Sequence, residues 1–451
     1  MSRILFRTLL VLCALCAART APADPQRLAD GTSADRWTLP NGLEVVTRDV
    51  PGSRAISVVW GYHFGLDSDP ADEPGLASLL AEVAFTAPAG DTPGRTREEM
   101  ESLRPEGWSL KVTRRQTLFN ETATTAQLPG VLHQIAGRMR GVTVTDAELH
   151  GALATVRRTM GERFFGLPEQ MLYWQVREYA RGLDKNGILA LAAVKGLDRE
   201  TPASVQAAIA RIYVPANGVL VLAGGLAGLD LRSILAREFG ALPAGERLPA
   251  PPANPLDSVT VVLERPEVKS AMGVVGLVAP ALTDSLHPSF YMAMLLLGSQ
   301  VKQGWGLPTP PLTTRFQYSL LDDPALVRLF PPRAGPQPLD VTRLSTALNE
   351  TVDELAQEIV QREVYDGLRH GMIWMMGGPM TRTLTESVRQ DPAVLNVLGT
   401  SLASQALWGN ETFWAEYRRR FDFTVSPAFV YWLDYLKDPR HQVRLIVAPR
   451  R

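Results

Sequence analysis

The chain has 451 residues, 45% of them hydrophobic and 21% charged, with 46 basic against 47 acidic side chains. That length supports two or more domains with full cores, and the even charge balance leaves no overall field to draw in nucleic acid or an anionic membrane surface. The only cysteines, Cys13 and Cys16, fall in a segment read below as removable, so no disulfide, thiol nucleophile or thiolate metal site is expected in the rest.

Residues 1–23 carry Arg3 and Arg7 ahead of an apolar run from Leu9 to Ala18, then Ala21-Pro22-Ala23, which fits a small-x-small cleavage site. This pattern predicts a signal peptide and a periplasmic or secreted protein, with a mitochondrial transit peptide as the alternative. No later segment reaches about 18 uninterrupted apolar residues, so no membrane span is expected.

Beyond the leader, "LEVVTRD" and "AISVVWGYHF" are rich in β-branched and aromatic residues, and Pro51-Gly52-Ser53 lies between them. They read as the two arms of a hairpin. An apolar helix follows at "GLASLLAEVAF", residues 75–85, and a second strand pair at "WSLKVTRR" and "TLFNETATT", where polar and apolar residues alternate. Helical spacing then dominates in "LPGVLHQIAGRMRGV", "TDAELHGALATVRRTMGERFF" and "TPASVQAAIARIY", with Thr145 and Glu148 placed as a capping box. A strand at "NGVLVLAGG" leads into a helix at "LDLRSILAREFGAL".

From Leu248 to Pro255, "LPAPPANP" holds four prolines in eight residues, which neither a helix nor a central strand tolerates. The predicted division is therefore a first domain at 34–247, a linker at 248–255 and a second domain at 256–451. The second half opens as the first does: "VTVVLERPEVKSAMGVVGLVAP" repeats the strand, proline turn, strand order. Each half also closes with a helix and a proline before a strand, "RIYVPANGVLVLAGG" and "DYLKDPRHQVRLIVAP", so a duplicated unit is expected.

Taken in order, "LPNGLEVVTRD", "HFGLDSDPADEPGLASLLAEVAF", "RIYVPANGVLVLAGG" and "AREFGALPAG" resemble the pitrilysin/insulinase family of zinc metallopeptidases, in particular half-clamshell chains of the mitochondrial processing peptidase kind. The likeness is fuller over residues 36–247 than over 256–451. It implies an α+β fold of two homologous domains, each a mostly antiparallel sheet packed by helices, together forming half of a clamshell. It also implies an inverted zinc motif, H-x-x-E-H, on the helix at 75–85, with a further glutamate ligand downstream. Registered on that pattern, Ser78 and Glu82 stand at the histidine positions, Ala81 at the general base and Thr159 at the third ligand. One carboxylate and two hydroxyls fall short of the three ligands a catalytic zinc uses, and recruiting Glu162 would still supply no imidazole. The family's zinc is therefore expected to be absent and no catalytic residue is assigned, which makes the chain a pseudo-enzyme.

In catalytic relatives the second domain contributes an arginine and a tyrosine that hold the substrate backbone. Here "TTRFQYSLL" offers Arg315 and Tyr318, at a spacing that departs from the usual one. The expected partners are a zinc-bearing metallopeptidase chain of the same family and a peptide. The alternatives are a scaffold subunit with no peptide site, or an active metallopeptidase whose site is not visible. Other chemistry has little support: the six histidines show no ligand spacing, "AGGLAG" fits no nucleotide loop, and no G-x-S-x-G elbow occurs. "GMIWMMGGPM" reads as core packing before it reads as an adaptable binding surface.

Overall fold

The computed structural model describes residues 26–27, 33–96, 99, 107–251, 255–266, 268–303, 315–317, 325–330, 346, 348–350, 352–353, 389–421 and 426–450. Residues 1–23, Tyr318 and the methionine-rich stretch at 371–380 lie outside them. Among the described residues, no helix is long and apolar enough to cross a membrane.

The fold is α+β, with two sheets packed by helices. The first sheet holds β1 (Gln26–Arg27), β2 (Ser33–Thr38), β3 (Glu44–Asp49), β4 (Ile56–Tyr62), β5 (Trp108–Val112), β6 (Thr117–Ala123) and β7 (Gly218–Gly224), in the order β1-β2-β3-β7-β4-β6-β5. In the second, β8 (Val259–Arg265), β9 (Met272–Val278), β10 (Arg315–Gln317), β11 (Leu326–Phe330) and β12 (Gln442–Pro449) run β10-β11-β9-β12-β8. The helices are α1 (Leu76–Thr86), α2 (Leu128–Arg140), α3 (Asp146–Phe165), α4 (Pro168–Ala180), α5 (Lys185–Ala193), α6 (Pro202–Ile212), α7 (Leu231–Phe239), α8 (His287–Gln303), α9 (Pro392–Trp408), α10 (Glu411–Arg420) and α11 (Ser426–Lys437).

The strands form where the sequence predicts them, but the opening hairpin does not. β7 inserts between β3 and β4, parallel to the first and antiparallel to the second, as Val45↔Leu220 and Trp60↔Leu220 show. The turn signal at Pro51-Gly52-Ser53 is local, whereas β7 is buried along its whole length and gains most at the centre of a sheet. Sheet two repeats the arrangement, with β12 parallel to β8 and antiparallel to β9. The predicted β5–β6 pair forms, with Leu110 opposite Phe119.

Strand alternation sorts the side chains into layers. From β4, Ile56, Val58, Trp60 and Tyr62 enter a large central core with α1 to α7, and Val443, Leu445 and Val447 of β12 reach the same core from the second sheet. Val59 of β4 and Val219 and Val221 of β7 face the other way, under Ala403, Ala406 and Leu407 of α9. On the far side of the second sheet, Val275 and Ile446 pack with Phe290 of α8, Tyr417 of α10 and Leu433 of α11.

Candidate functional site

α1 sits inside this structure because nearly every residue of "LASLLAEVAFT" is apolar and a good helix former. Its N-cap, Gly75, adopts φ 94° and offers no side-chain cap. Asp69 supplies one from the preceding loop: Oδ2 accepts from the Gly75 N–H and Oδ1 from the Ala77 N–H, both at 2.7 Å. At the other end, buried Arg138 of α2 donates through Nη1 to the carbonyls of Ala84 (3.0 Å) and Ala87 (2.9 Å). A carboxylate at the start and a guanidinium at the end both complement the helix dipole.

Only Ser78, Glu82 and Thr86 interrupt the apolar character of α1, and their spacing of four puts them along one side of the helix. Ser78 Oγ is buried with no hydrogen-bond partner among the described residues. Glu82 is buried, and it lines a cleft of about 620 Å³ whose walls include Thr86, Arg95, Glu99, Glu148, Thr155 and Arg158. Ala81 lies fully inside the core. Thr159 belongs to α3, which packs against α1, and its hydroxyl donates 2.8 Å to the Thr155 carbonyl one turn back. Glu162 is exposed and takes Arg158 as partner at 3.2 Å.

These positions do not fit a zinc ion. Their donors are one carboxylate and two hydroxyls, one hydroxyl already bonded to its own helix, and a catalytic zinc needs three good protein ligands. Among the described residues, no group of three or more His, Cys, Asp or Glu side chains is placed to hold a metal. Three of the described histidines have other partners. His287 is buried against the Tyr417 hydroxyl at 2.8 Å, and burial together with Arg420 holds it down to about 4. His150 Nδ1 bonds the Asp146 carbonyl, and His441 stacks on Tyr435 with centroids 3.6 Å apart. His370 lies outside the described residues.

β5 runs beside this helix, with Trp108 against Phe85 of α1 at 5.5 Å between ring centroids. It is the last strand of its sheet, and no strand pairs with its outer edge among the described residues. Thr122 N donates to Gly107 O and Thr113 N to Gln116 O, so antiparallel alternation turns the backbone of Ser109 and Lys111 toward β6. The N–H and C=O groups of Trp108, Leu110 and Val112 therefore face out. Sequence reading did not identify this edge, although the exposed Ser109 and Lys111 alternating with half-buried neighbours carried the signal.

Arg315 opens β10 at the far edge of the second sheet, its Cα opposite that of Phe330. Tyr318 falls outside the described residues.

No protein-family profile matches the sequence, and no curated protein matches it. Solved structures do. A protease from Helicobacter pylori superposes with a TM-score of 0.73 at 13% identity, covering 93% of this chain and 100% of that one. The first half of the periplasmic protease PqqL from Escherichia coli gives 0.66 at 13% identity over 94% and 93%, and the chain spans 48% of whole PqqL. A peptidase M16 inactive domain from Pseudomonas fluorescens gives 0.64 at 15% identity over 93% and 98%. At these identities the likeness is one of architecture: the chain has the fold shared by M16 peptidases and an inactive M16 domain.

Proposed function

We propose that the chain is a non-catalytic member of the M16 (insulinase-like) group that binds peptide and pairs with a zinc-bearing chain of the same fold. The observation that carries this reading is the cleft at Glu82. It lies at the helix where the family's zinc site is expected, yet Ser78, Glu82 and Thr159 are too few and too poor as donors for zinc, while the outer edge of β5, which no strand pairs among the described residues, runs beside the same helix. Such an edge takes an extended peptide as an added strand through backbone hydrogen bonds that tolerate many sequences. The partner would supply the metal, and this chain walls and strand pairing. On this reading Ser78, Ala81, Glu82 and Thr159 are lost metal and base positions, and Arg315 and Tyr318 contact peptide from the second domain.

A match to one half of PqqL supports a chain needing a second half to close a chamber. The leader at 1–23, together with a periplasmic neighbour in PqqL, supports export to the periplasm. The linker at 248–255 separates the strands of the two sheets, which supports the two-domain division.

The test is to mix the purified chain with an exported chain bearing an intact H-x-x-E-H motif and to follow cleavage of an unfolded peptide. Cleavage should rise on mixing and fall with Arg315→Ala. Unchanged cleavage, with no peptide bound by this chain alone, would leave the scaffold reading in its place. Tightly bound stoichiometric zinc in the isolated chain would overturn both.

A further inference from the structure

A second cavity, of about 370 Å³, lies at the other end of α1 and is lined by none of the residues that line the cleft at Glu82. Five separate segments build it: the loop at 66–75, Arg114, the last turns of α3, and α4 and α5. Its apolar walls include Leu66, Phe164, Trp174, Leu183 and Leu191. Its volume falls within the range of small-molecule sites, about 300–1,000 Å³, which are typically apolar with a few convergent polar groups.

The charges around it are nearly all matched. Glu178 takes Arg114 and Arg181, Asp67 takes Arg114 at 3.2 Å, and Asp69 is held by two backbone donors. Arg163 is the exception. Its guanidinium lies over the Trp174 ring at 4.8 Å and reaches Met160 Sδ at 3.8 Å, but no carboxylate among the described residues pairs with it. Burial draws its pKa below the ordinary value, with only the Tyr173 phenol acting against the effect. A half-buried, poorly hydrated cation without a counter-charge is costly, and an incoming anion would remove that cost.

We propose that this cavity binds a small amphiphilic carboxylate, its apolar body against Leu66, Phe164, Leu183 and Leu191 and its carboxylate on the Arg163 guanidinium. Arginine offers a planar fork suited to that head group, and Trp174 fixes the plane of the fork. An ammonium head is the poorer match: burial pushes Asp69 up to about 7, so its carboxyl is a weak counter-charge at neutral pH, and both Glu178 oxygens already accept from arginine. The proposal does not rest on the peptide-binding reading.

Calorimetric titration of the full chain with sodium octanoate tests it, with octan-1-ol and octylamine as controls. Octanoate should saturate a single site, and Arg163→Gln should weaken it by at least about tenfold, the loss of one charge-assisted contact. Arg163→Lys should retain part of the affinity. Ala190→Trp, an exposed position at the rim, should block the site while leaving Arg163 in place, and so covers the case in which Arg163→Gln fails to fold. Octanol binding as tightly as octanoate, octylamine binding more tightly, or no octanoate binding at all would each overturn the proposal.

Discussion

Asp69 caps α1 and pays for it in protonation. Desolvation raises its pKa to about 7 against the lowering effect of the Ala77 and Gly75 N–H donors, with Asp67 raising it further and Arg114 lowering it. The native state therefore holds a proton there that the unfolded chain, with an ordinary value of 3.8, releases earlier. Stability from this group is complete below about pH 4 and declines as pH rises to about 7. His63 and His287, both held down to about 4, act in the opposite direction, losing stability as pH falls from 6.5. The difference between wild type and Asp69→Asn isolates the carboxyl. Thermal melts across that range should show the wild type's relative advantage shrinking as pH rises, and a flat difference would refute the shift. At the other end of α1, Arg138 satisfies two carbonyls through Nη1 but leaves Nε and Nη2 buried and without a partner among the described residues. Arg138→Ala should cost about 3 kcal/mol by denaturant titration, through lost carbonyl partners and a cavity. Arg138→Met, which keeps the volume and removes a half-satisfied charge, should cost about 1 kcal/mol.

Among the elements, β5 is the one whose outer edge has a direct experimental handle. Proline removes an N–H, so its effect depends on which way that N–H points. At Leu110 it faces out, and at Lys111 it faces β6. Leu110→Pro should abolish peptide binding, read by fluorescence anisotropy of a labelled unfolded peptide, and cost only about 1 kcal/mol of stability. Lys111→Pro should break the ladder and cost about 3 kcal/mol. Peptide binding that survives Leu110→Pro would remove the edge from the proposed function. Element scale also shows where the sequence was hard to read. The capping box at Thr145 and Glu148 was legible, and the helix starts there. α4 was not, because Gln175, Arg177 and Glu178 are all buried within it and interrupt the apolar spacing a sequence pattern relies on. Ser78 and Glu82 could be placed on one helix, but the cavity at Arg163 could not be foreseen, since it needs five segments spread over residues 66–191.

At the scale of the molecule, the duplication legible in the strand, proline, strand repeats reappears as two sheets with the same central order, while the pairing of those strands was hidden by their distance in sequence. What no local pattern disclosed is that the halves cover each other. α9, from the second half, lies across β4 and β7 of the first sheet, and α4, from the first half, packs on β12 and β9 of the second. Polar contacts fasten the first of these: Gln116 Nε2 donates to the Ser404 carbonyl at 3.0 Å, and Thr122 and Asn396 bond through their side chains. Neither half can therefore bury both faces of its own sheet, and stability should be shared between the two. Gly399 of α9 faces β4 closely: an added Cβ there would stand 2.6 Å from Ser57 Oγ and 3.1 Å from Val59 Cγ2. Gly399→Val must lift α9 away from β4, uncovering Val59 and Val221, and overpacking of this kind costs about 2–3 kcal/mol. If the halves stabilise one another, calorimetry of Gly399→Val should show a single transition moved to lower temperature. A variant that instead splits into two transitions, one unshifted, would mean that each sheet holds together on its own and that α9 is only an appendage to the first.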